Sequence, residues 1–493
     1  MSLSIAGMIA NTSLGTISNE IGILSRNVSN ANTPGYSTRI AQTSTGAAGS
    51  AEVNGVARIT NPALFKSQLQ STSGGAQASA VYDGVSSIAQ LLATDSDGNS
   101  SSPSFFMGKL SSALQSYDAA PSDPTAAAGA VTAAKDLANS LNQATTTVQN
   151  VRRNADQQIE DSVTNINSIL SKFEQVNNAI VAGAGAKRDI TDLLDQRDSL
   201  LTQLSSEIGI TTVTRPNNDM MIFTDSGVTL FETAPRAVTF QPNPVLTAGT
   251  SGNAVYVDGV QVTGNSTFAT SVHSGKLAGL TQLRDSIAPA YQNQLDEIAR
   301  GLVSAFSESD QTGGGAPTLP GLFTYPGATS IPGAMVSGLA GQIQVNANAD
   351  PSQGGDPTRL RDGGISDPGN PAYTYNTSGG ALYTARIEQM ISSLSATQSF
   401  DPAAGLNTNT SLTAFASASD GWLSAQKQQA HSADTYQSAM LSQSTQALSN
   451  AVGVNLDSQM AKMLELENSY QATAKLISSI DALYTALFNA IRP

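Results

Sequence analysis

Apolar residues near the start of the chain recur at alternating intervals of three and four positions. Between residues 3 and 31 the repeat consists of Leu3, Gly7, Ala10, Leu14, Ile17, Ile21, Leu24, Val28 and Ala31. A spacing of about 3.5 residues places such side chains along one side of a helix that packs against another helix. The pattern predicts a terminal helix whose contact is strongest from Leu14 to Val28, because Gly7 and Ala10 bury little area.

A second helix with the same spacing is predicted between residues 456 and 491. Its repeat consists of Leu456, Gln459, Met463, Leu466, Tyr470, Thr473, Ile477, Ile480, Tyr484, Leu487 and Ile491. A further apolar row lies off that line and consists of Leu464, Leu476, Leu483 and Phe488. This helix is therefore expected to need more than one partner. Two ordinary amphipathic helices on separate domains are the alternative, but chain ends are usually polar and frayed, which favours pairing.

Long helices are also predicted in the middle of the chain. Asp123-Pro124 is a favourable helix start, because proline is tolerated at the first helical position. A repeat of three and four runs from there to Ile180 and ends at Gly183 and Gly185. At about 1.5 Å per residue this helix would be roughly 80–90 Å long. Further helices are predicted over 188–208, 276–306 and 410–452.

Short β-type runs separated by Asn, Asp, Gly and Pro lie between these helices. They are Thr211–Val213, Met220–Phe223, Val228–Phe231, Ala237–Phe240, Val255–Val257 and Val260–Val262. Asp258-Gly259 is a hairpin signal. Residues 309–375 are rich in Gly and Pro, and Gln342–Val345 is the strand-like run within them.

The pattern as a whole predicts a mixed α and β fold. We expect an elongated rod of long helices built from both chain ends, with a β-rich outer domain inserted into it. Residues 1–33 and 456–493 would form a terminal, coiled-coil-like helical domain. Residues 34–209 and 400–455 would form a helical rod domain with a long hairpin. Residues 210–399 would form the outer domain, with one helix at about 276–306 and Gly/Pro-rich loops.

Composition excludes several classes of function. The formal net charge is −14, and Lys and Arg form no cluster of the kind that neutralises phosphates, so nucleic acid and anionic membranes are unexpected partners. There is no cysteine, which rules out disulfides and thiol catalysis. The first cation is Arg26 and no apolar run follows Met1, so we expect an export route that needs no secretory signal peptide.

The sequence gives no positive sign of catalytic chemistry. The histidines are His273 and His431, and no motif marks either one. Residues 95–99 resemble the start of a calcium loop, but Ser100 and Phe106 stand where an EF-hand needs Gly and Glu. We therefore expect no cofactor, no metal site and no small-molecule substrate. A glycan hydrolase that uses two acidic residues is the enzyme alternative.

A turn is predicted where the first helix ends. The relevant string consists of Asn27, Val28, Ser29, Asn30, Ala31, Asn32, Thr33, Pro34, Gly35 and Tyr36. Asparagine tolerates the left-handed backbone angles of helix ends, and Pro-Gly sets a type II turn. Residue Thr33 is pushed out of the helical region by Pro34. The residues therefore predict a helix stop followed by an extended strand.

This string resembles the signature of flagellar rod, hook and hook-associated proteins, and the chain is most similar to the hook-associated protein 1 family of the hook–filament junction. Similar features are Asp192–Asp198, Ser274–Leu280, Leu283–Asp285, Gln294–Ala299, Gln344–Asn346, Val454–Asp457, Tyr470–Ala472 and Lys475–Ser478. The alternatives are another axial protein of hook or rod type, or a secreted enzyme or adhesin with helical ends.

The resemblance implies a non-enzymatic subunit that is exported unfolded by the flagellar type III system and self-assembles outside the cell. Implied partners are copies of itself, the hook protein, hook-associated protein 3 and, before export, a chaperone at the C-terminal helix. The expected assembly residues are Leu14, Ile17, Ile21, Leu24, Val28, Met463, Leu466, Tyr470, Ile477, Ile480, Tyr484, Leu487 and Ile491.

Overall fold

The computed structural model describes residues 3–46, 49–93, 100–264 and 268–491. Helices dominate and the strands form small antiparallel sheets, so the mixed α and β fold is confirmed. Residues 95–99, which resemble the start of a calcium loop, lie outside the described ranges.

The helices carry most of the described residues. They are α1 (Leu3–Ser29), α2 (Pro62–Ala89), α3 (Pro103–Ala119), α4 (Pro124–Gly185), α5 (Thr191–Glu207), α6 (Lys276–Gln282), α7 (Ala288–Ala305), α8 (Arg359–Asp362), α9 (Ala385–Ser395), α10 (Leu412–Val452) and α11 (Leu456–Ile491).

The strands pair locally along the chain. They are β1 (Arg39–Thr45), β2 (Ala51–Arg58), β3 (Ile210–Thr214), β4 (Met220–Thr224), β5 (Thr229–Phe231), β6 (Val238–Thr239), β7 (Tyr256–Val257), β8 (Val260–Gln261), β9 (Phe323–Thr324), β10 (Gln344–Val345), β11 (Thr397–Ser399) and β12 (Asn409–Ser411).

Helix α4 is the centre of the helical body. Its 62 residues begin where the sequence predicted, with the side chain of Asp123 accepting a hydrogen bond from the backbone N–H of Thr125 at 2.8 Å. One apolar face of α4 is buried along its length, and α3, α5, α6 and α7 pack against it. Helix α10 packs along α2 and also contacts α7. The body is therefore made of helices from both halves of the chain.

The same kind of N-terminal cap begins two helices, α2 and α3, that were not among those predicted. The side chain of Asn61 accepts from the N–H of Leu64 at 3.1 Å before α2, and that of Ser102 accepts from the N–H of Phe105 at 3.3 Å before α3. A proline follows each capping residue. A cap satisfies one of the free N–H groups of the first turn.

Two antiparallel sheets of three strands follow α5, in the orders β3-β4-β5 and β6-β7-β8. The turn between β7 and β8 has positive φ at both central residues, 49° at Asp258 and 81° at Gly259, as a type I′ hairpin requires. Strands β1 and β2 form a separate hairpin, and β9 with β10 and β11 with β12 form two further pairs.

The helix predicted at 276–306 differs from the expectation in its surroundings. It consists of α6, a π-helical turn (Leu283–Ile287) and α7. It packs against α4 and α10 of the helical body. The side chain of Gln292 accepts a hydrogen bond from that of Gln149 in α4 at 3.2 Å, and the side chain of Gln294 accepts one from that of Ser419 in α10 at 2.8 Å. The expectation of one helix within 210–399 is wrong, since α8 and α9 also lie there. The division into three domains stays a prediction.

Candidate assembly surface and its anchor

Helices α1 and α11 lie against each other, although their residues are more than 400 positions apart. Gly7 lies close to Ile480, since a Cβ atom at Gly7 would be 3.7 Å from its Cγ2. The predicted assembly residues differ in burial. The buried ones are Leu24, Leu466 and Ile480, and the exposed ones are Tyr470, Leu487 and Ile491. The half-buried ones are Leu14, Ile17, Ile21, Val28, Met463, Ile477 and Tyr484. Most of the predicted contact row is thus covered within one chain.

The second apolar row of α11 is exposed. Phe488 is 68% exposed and Leu464 is 59% exposed, and Leu483 and Leu476 are slightly less exposed, at 55% and 52%. Other exposed apolar side chains of the pair are Ile5, Met8, Leu456, Met460, Leu487 and Ile491. We refer to Leu464, Leu476, Leu483 and Phe488 as the outer row. An apolar surface of this extent is unusual for a protein that has no partner.

The turn motif closes the end of α1. The backbone N–H of Tyr36 donates to the carbonyl of Thr33 at 3.2 Å, and Gly35 has a φ of 79°, the conformation of a type II turn. The side chain of Asn30 donates to the carbonyl of Arg26 at 2.9 Å, and the hydroxyl of Thr33 donates to the side chain of Asn30 at 3.3 Å. Pro34 is exposed. The chain then enters β1, as the sequence predicted.

Asn27 is the buried centre of this region. Its amide group donates to the carbonyl of Arg39 and to the side chain of Gln459, both at 2.8 Å. Its side-chain oxygen accepts from the N–H of Arg39 at 3.0 Å and from the hydroxyl of Tyr36 at 2.9 Å. One side chain thereby joins α1, β1, the turn and α11. A buried amide with all these hydrogen bonds fixes the relative positions of the segments it joins, because the loss of any one bond would leave a buried polar group unpaired.

The Asp192–Asp198 segment anchors the β1–β2 hairpin to α5. Arg39 forms ion pairs with Asp192 and with Asp195, the latter at 3.3 Å. Arg58 forms ion pairs with Asp195 at 2.9 Å and with Asp198 at 2.7 Å. Burial alone would lower the pKa of Arg39, but its carboxylate partners outweigh burial and raise it. Burial raises the pKa of Asp198 despite its contact with Arg58.

Sequence reasoning missed Arg39 and Arg58 as functional residues. A signal was present on the acidic side: residues 189, 192, 195 and 198 are all aspartates. Residues three apart lie on neighbouring positions of a helix surface, so this spacing concentrates negative charge and calls for a cationic partner. The position of the partner could not be read from the sequence, because more than 100 residues separate Arg58 from Asp195.

The described part of the chain holds no group of three or more His, Cys, Asp or Glu residues arranged to bind a metal ion. His273 is exposed beside Asp225, and His431 packs against the ring of Tyr82 with centroids 5.1 Å apart. Among the helices that the structure describes, none has the length and apolar content that crossing a bilayer requires.

Comparison with known proteins agrees with this architecture. Residues 85–321 match the helical domain of the flagellar hook-associated protein FlgK. Residues 445–490 match the C-terminal domain of the flagellar basal body rod proteins FlgEFG. The first match covers just under half of the chain, so the flagellar hook-associated proteins are what this chain is similar to. That family is structural. The second match covers nearly all of α11, the helix that carries the outer row.

Individual relatives cover part of the chain. The flagellar hook-associated protein 1 of Salmonella typhimurium is 27% identical over 235 residues, which are 46% of this chain and 40% of that protein. The protein of the same name from Salmonella typhi gives the same values. The match therefore spans less than half the length of either relative. The flagellar hook junction protein FlgK of Burkholderia pseudomallei has a solved structure that is 23% identical, with a TM-score of 0.41, over 54% of this chain and 47% of that one.

Proposed function

We propose that this protein is a structural subunit of the hook–filament junction of the bacterial flagellum. The observation that carries the proposal is the outer row of α11, which stays exposed after α1 and α11 have paired. Burying one exposed Leu side chain is worth about 1.5–3 kcal/mol, so four large apolar side chains in a row favour association with further helices. Neighbouring copies of the same helix pair supply such surfaces in a closed or helical assembly.

We infer the partners and the location from the similarity to hook-associated proteins. The subunit would leave the cytoplasm through the flagellar type III system and assemble with copies of itself between the hook protein and hook-associated protein 3. Before export, the apolar surface from Met463 to Ile491 would be covered by an export chaperone, since an amphipathic helix is the usual ligand of an apolar groove. The predicted assembly residues of α1 and α11 would line the contacts between subunits or support them from within.

No catalytic role is proposed. The family is structural, and the buried acidic groups of the body have structural partners: Asp296 accepts from the N–H groups of Gly338 and Ala340, and Glu308 accepts from those of Ile365 and Ser366. Such carboxylates hold loops in place and face no open site.

The decisive experiment removes the apolar character of the outer row without changing the fold. The double variant Leu476→Gln, Leu483→Gln should remain soluble, with the helical circular dichroism of the wild type. It should fail to assemble with purified hook and hook-associated protein 3 subunits in electron micrographs, and it should not restore motility to a strain that lacks this protein. Leu382→Gln is the control, because Leu382 is a leucine even more exposed than Leu476 and Leu483 and lies in the loop before α9.

Normal assembly by the double variant would refute the proposal. Deletion of residues 457–493 gives a coarser test that also addresses the enzyme and adhesin alternatives, since an enzyme should keep its activity without α11. A functional junction formed by the truncated chain would contradict the axial role.

Another axial role, of hook or rod type, is the second candidate. The match of residues 445–490 to rod proteins favours it, whereas the longer match of residues 85–321 to the FlgK helical domain favours the junction. Imaging the purified protein mixed with hook and filament subunits separates the two. A junction protein should bind at the hook end and accept the next component, while a hook or rod protein should extend its own polymer.

A further inference from the structure

The helix pair α1–α11 is joined to the body through the short connection from α10 to α11 and through the β1–β2 hairpin. The hairpin packs on α1, where the hydroxyl of Thr16 donates to the carbonyl of Ala51 at 2.7 Å. At its base, Thr38 donates from its N–H to the carbonyl of Val452 at 2.8 Å and from its hydroxyl to that of Gly453 at 2.7 Å. These bonds fix the base of the hairpin to the corner between α10 and α11.

Beyond that base, ion pairs join the hairpin to α5. Arg39 and Arg58 reach from neighbouring positions of the two strands, which pair in register, to the acidic side of α5. The side chain of Arg39 is 3% exposed, whereas that of its partner Asp192 is 75% exposed. Water and salt therefore have access to the contact at Asp192, whereas Asp195 and Asp198 are 14% and 23% exposed and are shielded. A further and longer ion pair joins Arg26 of α1 to Asp189, which precedes α5, at 4.0 Å.

With the hairpin against α5, some buried hydrogen-bond donors of this region lack an acceptor among the described residues. The Nε–H groups of Arg39, Arg58 and Arg197 are buried and have no hydrogen-bond partner in the described part of the structure. Water would hydrate these groups if the hairpin moved away from α5. Buried ion pairs contribute little net stability because desolvation offsets their attraction, but they define geometry well. The contact is therefore suited to hold one orientation and to release it at modest cost.

We propose that Arg39, Arg58 and the aspartates at 192, 195 and 198 form an ionic clasp that fixes the angle between the terminal helix pair and the body. When the clasp opens, the hairpin and the helix pair pivot about the base held by Thr38. Salt weakens the clasp first at the exposed Asp192, since the Debye length falls from about 10 Å at 0.1 M salt to about 3 Å at 1 M and buried pairs are screened less than exposed ones. The clasp is thus a conformational device that is independent of the proposed assembly role.

Distance measurement between two spin labels tests the clasp. The sequence contains no cysteine, so Thr43→Cys in the hairpin and Gln203→Cys in α5, both exposed, introduce the labels specifically. We expect one narrow distance distribution at low salt and a broad one near 1 M salt. Arg58→Glu should give the broad distribution at low salt. Arg236→Glu is the matched control, because Arg236 forms exposed ion pairs far along the chain from the clasp.

A charge exchange separates electrostatics from packing. Arg58→Glu combined with Asp198→Arg restores opposite charges across the contact and should narrow the distribution again. Thermal unfolding followed by circular dichroism verifies that each variant has a folded body. A distribution that is broad in the wild type at low salt, or unchanged in the folded Arg58→Glu variant, would overturn the clasp. An exchange variant as broad as Arg58→Glu would assign the effect to lost packing and would also overturn it.

Discussion

A buried arginine in the body allows a quantitative test of how its charges are held. The side chain of Arg284 is 1% exposed. It donates to Asp156 at 2.5 Å, to Asp285 at 2.7 Å and to the carbonyl of Asn253 at 2.7 Å. Arg284→Met keeps aliphatic volume but leaves the buried carboxylate of Asp156 without its ion-pair partner. Removing one partner of a buried pair costs about 3–5 kcal/mol, and we expect that loss in the free energy of unfolding.

The matched control is Arg236→Met. Arg236 also has two acidic partners, Glu232 at 3.5 Å and Asp258 at 3.3 Å, but it is 43% exposed. Exposed ion pairs contribute about 0–1 kcal/mol, so this variant should unfold nearly as the wild type does. Urea unfolding followed by the fluorescence of Trp422 is a suitable assay, because Trp422 is the single tryptophan and stacks on Tyr291 of α7 with ring centroids 6.3 Å apart.

A double variant identifies the cause of the loss. Asp156→Asn in the Arg284→Met background removes the unpaired charge, while its side-chain oxygen can still accept from the N–H of Asn243, which now bonds Asp156 at 2.8 Å. The double variant should regain part of the lost stability. Equal losses for the buried and the exposed arginine variants, or no recovery in the double variant, would refute the reasoning.

Three further predictions concern pH, order and the turn motif. Burial raises the pKa of Asp296 to about 6, so the folded protein keeps a proton there that the unfolded chain releases near pH 4. The free energy of unfolding should therefore fall by up to about 3 kcal/mol as pH rises from 4 to 7. Urea titrations of the wild type and of Asp296→Asn measure this difference. In the free monomer, amide exchange should be fast in α1 and α11 and slow in α4. Asn27→Ala should lose about 2–4 kcal/mol of local stability and speed exchange in the β1–β2 hairpin, whereas Asn32→Ala, at an exposed site, should not.

The longest helices could be predicted from the sequence because their spacing and caps agree. The start of α4 at Pro124 and its end at Gly185 fall where the pattern placed them, and α10 and α11 follow the predicted ranges to within a few residues. The outer row of α11 was also identified as lying off the main contact. In each case a local rule, helical periodicity or capping, gives the same answer as the tertiary contacts.

Helix α2 shows why other elements could not be predicted. It is long and contains Gly74-Gly75 in its interior, a pair that usually indicates a turn. A Cβ atom at Gly74 would lie 2.8 Å from the side-chain oxygen of Gln437 in α10, so Gln437 would have to move to admit a side chain there. Helix α2 is thus held by packing along α10, a partner more than 350 positions away. Local propensity cannot reveal a contact of this kind.

The family-like motifs have one physical property in common. Asn27 bonds α11, the aspartates of α5 bind the arginines of the hairpin, and Gly275 and Gly279 allow α6 to approach other backbone segments. A Cβ atom at Gly275 would lie 2.6 Å from the Cα of Ile208, and one at Gly279 would lie 2.5 Å from the carbonyl oxygen of Gln77.

These three motifs thus lie where segments distant in the chain meet, and each acts through close approach or a buried bond. Catalytic motifs instead direct reactive groups toward a space that a substrate can enter. Here the side chain of Asn27 is fully bonded and the spaces beside the two glycines are already filled by backbone. These motifs therefore hold segments from the two halves of the chain together, and the exposed outer row of α11 takes no part in them.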